Sequence, residues 1–71
     1  MQYVIVLESS SISTEYFTGG RYIYQGDLYA TLGNEQEAKR FKSAKLAQRS
    51  ADSLNEHSAQ PGIFSVREFQ E

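Results

Sequence analysis

The chain has 71 residues, with nine Asp and Glu against seven Lys and Arg, a single His and no Cys. That length holds one domain, residues 1–71, near the size where little surface is buried, and it excludes a second core. Without Cys there is no disulfide, and one His without thiols makes no structural zinc site, so a compact apolar core or an oligomer interface must carry stability.

The formal net charge of −2 argues against a strongly basic nucleic-acid binder and against a heavily acidic mimic of DNA, although local patches can do either job. The start, Met1 to Glu8, has no positive leader and a short apolar run closed by a carboxylate, which does not read as a signal peptide. No stretch approaches the roughly 18 to 20 apolar residues that span a bilayer. A cytoplasmic protein is expected.

Tyr3 to Leu7 form a β-branched and aromatic run, apolar on both faces of a period-two strand, and predict a central strand. Ser9 to Ser11 suit a loop. Strands are expected at about 12–17 and 21–25, joined as a hairpin at Thr18-Gly19-Gly20, because paired glycines take positive φ. Gln25-Gly26-Asp27 interrupts this ribbon, and Leu28 to Leu32 read either as a further strand or as the lead into a helix.

Asn34 is a favoured N-cap with Glu37 three residues on, as in a capping box, and Glu35 and Glu37 suit the positive end of a helix dipole. A helix of about six turns is therefore expected from Glu35 to about His57, stopped by Asn55 to Gly62. Ile63 to Phe69 alternate as a closing strand. The predicted fold is α+β, order β-β-β-α-β: a small antiparallel sheet of about four strands with one long helix on one face.

Placed at 100° per residue, Phe41, Ala44, Ala47, Ala51 and Leu54 share the arc that would meet the sheet. Lys42, Lys45 and Arg49 lie on the opposite arc with Lys39 nearby, and five of the seven basic residues fall between positions 39 and 49. Such a row suits phosphates or an acidic partner. It equally suits a solvated face on which Glu35 pairs with Lys39, and Arg49 with Asp52 or Glu56.

Nine residues are Tyr or Phe, and Tyr16, Phe17, Tyr22, Tyr24 and Tyr29 crowd the ribbon. One helix covers one sheet face, so some of these rings are expected at the surface as partner contacts; cross-strand pairing is the structural alternative. The candidate binding set is Tyr16, Phe17, Tyr22, Tyr24, Tyr29, Lys42, Lys45 and Arg49. No catalytic or metal-binding set and no cofactor is expected. His57 reads as a helix C-terminal residue, no Gly-x-Ser-x-Gly elbow occurs, and nothing in the spacing of Glu8, Glu15 and Asp27 demands that they meet.

The start Tyr3-Val4-Ile5, the tyrosine-rich ribbon at 16–29, the run Glu37-Ala38-Lys39-Arg40-Phe41-Lys42-Ser43-Ala44-Lys45-Leu46-Ala47, then Leu54-Asn55 and the closing Phe64-Ser65-Val66 together carry a resemblance. The chain resembles small accessory proteins of phages and prophages, particularly of Gram-positive bacteria. Several proteins of that build inhibit bacterial defence, anti-CRISPR proteins among them. The resemblance implies a non-enzymatic, stoichiometric inhibitor that docks on a host protein or ribonucleoprotein, and it carries over no binding residues. The alternative is a small nucleic-acid-binding or regulatory protein using Lys39, Lys42, Lys45 and Arg49. Self-association stays open, and no membrane partner is expected.

Overall fold

The computed structural model describes residues 1–8, 14–59 and 62–69. Its elements are β1 (Gln2–Glu8), β2 (Glu15–Tyr24), β3 (Asp27–Gly33), a 3₁₀ turn (Glu35–Glu37), α1 (Ala44–His57) and β4 (Ile63–Phe69). The four strands form one antiparallel sheet, in the order β3-β2-β1-β4. The expected α+β architecture and element order are therefore present, and the apolar run of β1 does lie inside the sheet. The expected loop at Ser9 to Ser11, the strand start at 12–13 and Pro61 lie outside the described residues.

Alternation along β1 divides its side chains between two clusters. Ile5 and Leu7 join Phe17, Ala30, Phe41, Phe64 and the helix residues Ala47, Ala51 and Leu54 in the main core, with Tyr3 packed against it. Val4 and Val6 point the other way and are buried with Ala38 beneath Tyr16 and Phe69. The helix therefore covers one face, while Ala38 and two rings seal part of the other.

Two expectations are corrected. The glycines at 19 and 20 make no hairpin, because β2 runs straight through them. Phe17 pairs with Leu32 and Arg21 with Ala30, so three residues of β2 stand opposite Thr31 in a bulge. The turn is at Gln25-Gly26, where Tyr24 pairs with Asp27 and the φ values of 53° and 85° are those of a two-residue type I′ hairpin. Leu28 to Leu32 are thus part of strand β3.

The long helix is also shorter than expected. Asn34 and Glu37 form the predicted capping box, but it caps only the 3₁₀ turn. Residues 38–43 are then not helical, because the sheet claims them. Among the described residues β1 meets β2 only at Val6 with Tyr16 and Leu7 with Glu15, and toward the start of β1 the two strands part. Phe41 fills the gap, exchanging backbone bonds with Tyr3 at 2.9 and 2.8 Å, while the Lys39 N–H donates to the Phe17 carbonyl at 2.9 Å. Those bonds and the burial of Phe41 outweigh helix propensity, which is a weak preference. Ser43 then caps α1 by accepting from the Leu46 N–H at 3.2 Å, leaving 14 residues in place of the expected six turns. Ala44, placed on the core arc from the sequence, is exposed as the first helical residue, and Phe41 reaches the core from extended chain.

Both outer strands are held by the end of α1. Because Tyr3 spends its backbone groups on Phe41, its partner Glu68 on β4 is a non-hydrogen-bonded pair, and by alternation Glu68, Val66 and Phe64 turn theirs away from β1. The Asn55 side chain takes both groups of Phe64, accepting from its N–H at 2.7 Å and donating to its carbonyl at 3.0 Å. Ala59, four residues on, donates to Leu28 of β3 at 2.9 Å. These bonds tie β4 and β3, the two outer strands, to the same stretch of chain at the end of the helix.

Asn55→Ala is expected to cost about 1 to 2 kcal/mol by leaving two backbone groups of Phe64 without protein partners. Asn55→Asp, which can still accept from the N–H, should fall between. Equal urea midpoints for all three proteins would show that Asn55 holds nothing.

Candidate functional site

Beyond the bulge, β2 and β3 run on as a two-stranded ribbon. The bulge that aims it is pinned by two threonines. Thr31 Oγ1 accepts from the Gly20 N–H at 3.0 Å and donates to its carbonyl at 3.1 Å. The Thr18 hydroxyl bonds to the Thr31 hydroxyl and carbonyl. With the type I′ turn at the far end, the ribbon is fixed at both limits, and bulges of this kind serve to re-aim side chains.

Alternation sorts the ribbon side chains. Tyr22 lies opposite Tyr29, and the two rings stack at 5.5 Å between centroids with 20° between planes. Tyr24 follows on the same face, while Ile23, opposite Leu28, points the other way. The tip is open to solvent: Tyr22 is 49%, Ile23 73% and Tyr24 59% exposed. Between Tyr22 and Tyr29 the sole charged residue is Asp27. Exposed hairpins commonly carry several charges that discourage association, so a tip with Tyr22, Ile23 and Tyr24 in solvent and a single charge at Asp27 is unusual for a bare surface.

The structure brings three of the predicted aromatic contacts together and removes the others. Tyr22, Tyr24 and Tyr29 share the ribbon. Tyr16 is half-buried over Val4 and Val6. Phe17 is 3% exposed and belongs to the main core, because it precedes the bulge on the side of β2 that faces α1. Ile23 was missed by sequence reasoning, which counted rings; its place between two exposed tyrosines in a period-two ribbon was the available signal.

The predicted basic row is divided. Lys42 is exposed but precedes the helix, and Lys39 lies on extended chain with its ammonium 5.4 Å from the Phe41 ring centroid. Arg40 stacks on Phe69 at 4.2 Å. Only Lys45 and Arg49 share a helix face, and it continues into Asp52 and Glu56, all four exposed. The expected pairs of Glu35 with Lys39, and of Arg49 with Asp52 or Glu56, do not form among the described residues. Asp52 instead accepts from the Gln48 amide at 2.8 Å, and Glu56 lies 3.9 Å from His57.

This order of charge runs against the helix. Its first turn has no acidic residue, and Lys45 in the first turn and Glu56 in the last are each disfavoured by roughly 0.3 to 1 kcal/mol through the dipole. Lys45 with Arg49 and Asp52 with Glu56 are also like-charge i,i+4 pairs, each unfavourable by about 0.2 to 0.5 kcal/mol. Glu8, one of the three candidate carboxylates, is bound to Arg67 across the sheet at 3.0 Å. No group of three or more His, Asp or Glu able to hold a metal occurs among the described residues, and no helix among them is long and apolar enough to cross a membrane.

Comparison of the chain with protein-family models, curated proteins and solved structures finds no match. The functional reading therefore rests on the surface itself.

Proposed function

We propose that this chain is a non-enzymatic, phage-type binding protein that docks its tyrosine ribbon on a bacterial host defence protein, a CRISPR nuclease or complex among the candidates, and blocks it stoichiometrically in the host cytoplasm. The observation that carries this reading is the solvent-exposed triplet Tyr22-Ile23-Tyr24 on a ribbon fixed at both limits. Aromatic side chains with a polar tip are enriched among the residues that dominate protein interfaces, and a pre-ordered hairpin loses little entropy on docking. A polyanion is the less favoured partner, because the cations of α1 are followed on the same stripe by Asp52 and Glu56.

The test is affinity capture from host lysate with the wild-type chain and a Tyr24→Ala/Ile23→Ser variant, read by mass spectrometry and then by calorimetry with the purified partner. The variant should fold normally and lose roughly 30-fold or more in affinity, about 2 kcal/mol, as expected for a buried aromatic anchor. Capture of the same host protein by both chains would move the contact elsewhere. A salt-sensitive shift of bare DNA or RNA, with no host protein captured, would replace this reading with the nucleic-acid one.

A further inference from the structure

Four exposed residues of α1 form one stripe: Lys45, Arg49, Asp52 and Glu56. Their spacing of four, three and four keeps them within an arc of about 60° on a helix of 3.6 residues per turn. Ala47, Ala51 and Leu54, which bury the helix against the sheet, lie on the opposite side. The stripe is two cations followed by two carboxylates, and its midpoint falls between Ser50 and Ala51.

That pattern is its own complement. If a second copy of α1 is laid antiparallel across a two-fold axis at the midpoint, Lys45 meets the second copy's Glu56, and Arg49 meets its Asp52. An isologous interface requires this reciprocity. Within one chain the same charges are badly placed: like signs neighbour at i,i+4, the order opposes the helix dipole, and Arg49 bonds to neither Asp52 nor Glu56. Inside the chain Asp52 has the Gln48 amide and Glu56 lies 3.9 Å from His57, but no contact among the described residues joins the cations of the stripe to its carboxylates, and a second copy would supply that pairing.

We infer that the outer face of α1 is a two-fold, salt-sensitive homodimer surface whose occupant is a second copy of this chain. The stripe is polar, with Leu46 as its exposed apolar neighbour, so the dimer belongs to the weak class held by electrostatic complementarity. The ribbon is not used in it, and the dimer would present two ribbons at once.

Sedimentation equilibrium of the wild-type chain should give a dimer at low ionic strength, with a dissociation constant rising at least tenfold as salt is raised from about 0.02 to 0.5 M and the charges are screened. Lys45→Glu/Arg49→Glu and Asp52→Lys/Glu56→Lys should each be monomeric with unchanged circular dichroism, and an equimolar mixture of the two should associate. Zero-length carbodiimide coupling provides the specific readout. Along one helix Lys45 and Glu56 are about 16 Å apart, so a Lys45–Glu56 amide forms only between copies. A wild-type chain that stays monomeric at low salt would overturn the proposal. So would a dimer that survives both charge variants, or one that yields no such amide.

Discussion

Replacing Phe17 by alanine is expected to remove about 3 to 5 kcal/mol of folding stability, the usual loss for deleting a buried ring. The ring is 3% exposed and belongs to the main core with Ile5, Leu7, Ala30, Phe41 and the buried face of α1. A domain of this size has roughly 4 to 10 kcal/mol in total, so the variant should melt some 15 to 30 °C lower and sit near the edge of folding. Tyr24→Ala, at the exposed tip, should change stability by no more than about 0.5 kcal/mol. Thermal unfolding of the two variants side by side separates the core ring from the surface ring. A Phe17 variant as stable as the Tyr24 variant would contradict the packing described above.

Gly62→Ala should be nearly as damaging. Gly62 has φ of +106°, and a β-carbon there would stand 2.5 Å from the carbonyl oxygen of Glu8 and 3.0 Å from Leu7. Positive φ in a residue with a side chain contributes about 1 to 3 kcal/mol of strain, and forcing the β4 entry away from β1 adds a similar amount. Gly26 is the control. Its φ is +85°, yet nothing lies within 4 Å of the added carbon, so Gly26→Ala should carry backbone strain alone, about 1 kcal/mol. Chemical denaturation that ranks the two alike would mean that the approach of Glu8 to Gly62 is freely relaxed.

The parts of the fold legible in the sequence are those set by local chemistry. The apolar run of β1, the capping box of Asn34 and Glu37, the buried stripe Ala47, Ala51 and Leu54 and the closing strand all follow from period and side-chain type. What misled was long-range. Gly19-Gly20 reads as a turn until Thr31 is known to pin it as a bulge. Residues 38–43 read as helix until the gap between β1 and β2 is seen to take Lys39 and Phe41 as strand-like partners. For the candidate site, the tyrosine cluster was visible as composition, but which rings are free depends on the bulge, which separates buried Phe17 from exposed Tyr22 and Tyr24.

The pairing of β1 has a kinetic consequence. The ribbon of β2 and β3 closes through two residues, so its loop closure is cheap and it can form early. β1 finds its longest partner in β4, with Gln2 opposite Phe69, and that contact must wait for the chain to fold back over nearly its full length. Contacts of such separation slow folding. Meanwhile Tyr3 to Leu7, five β-forming residues without a charge, remain uncovered, and that is the kind of window through which nascent chains associate with one another.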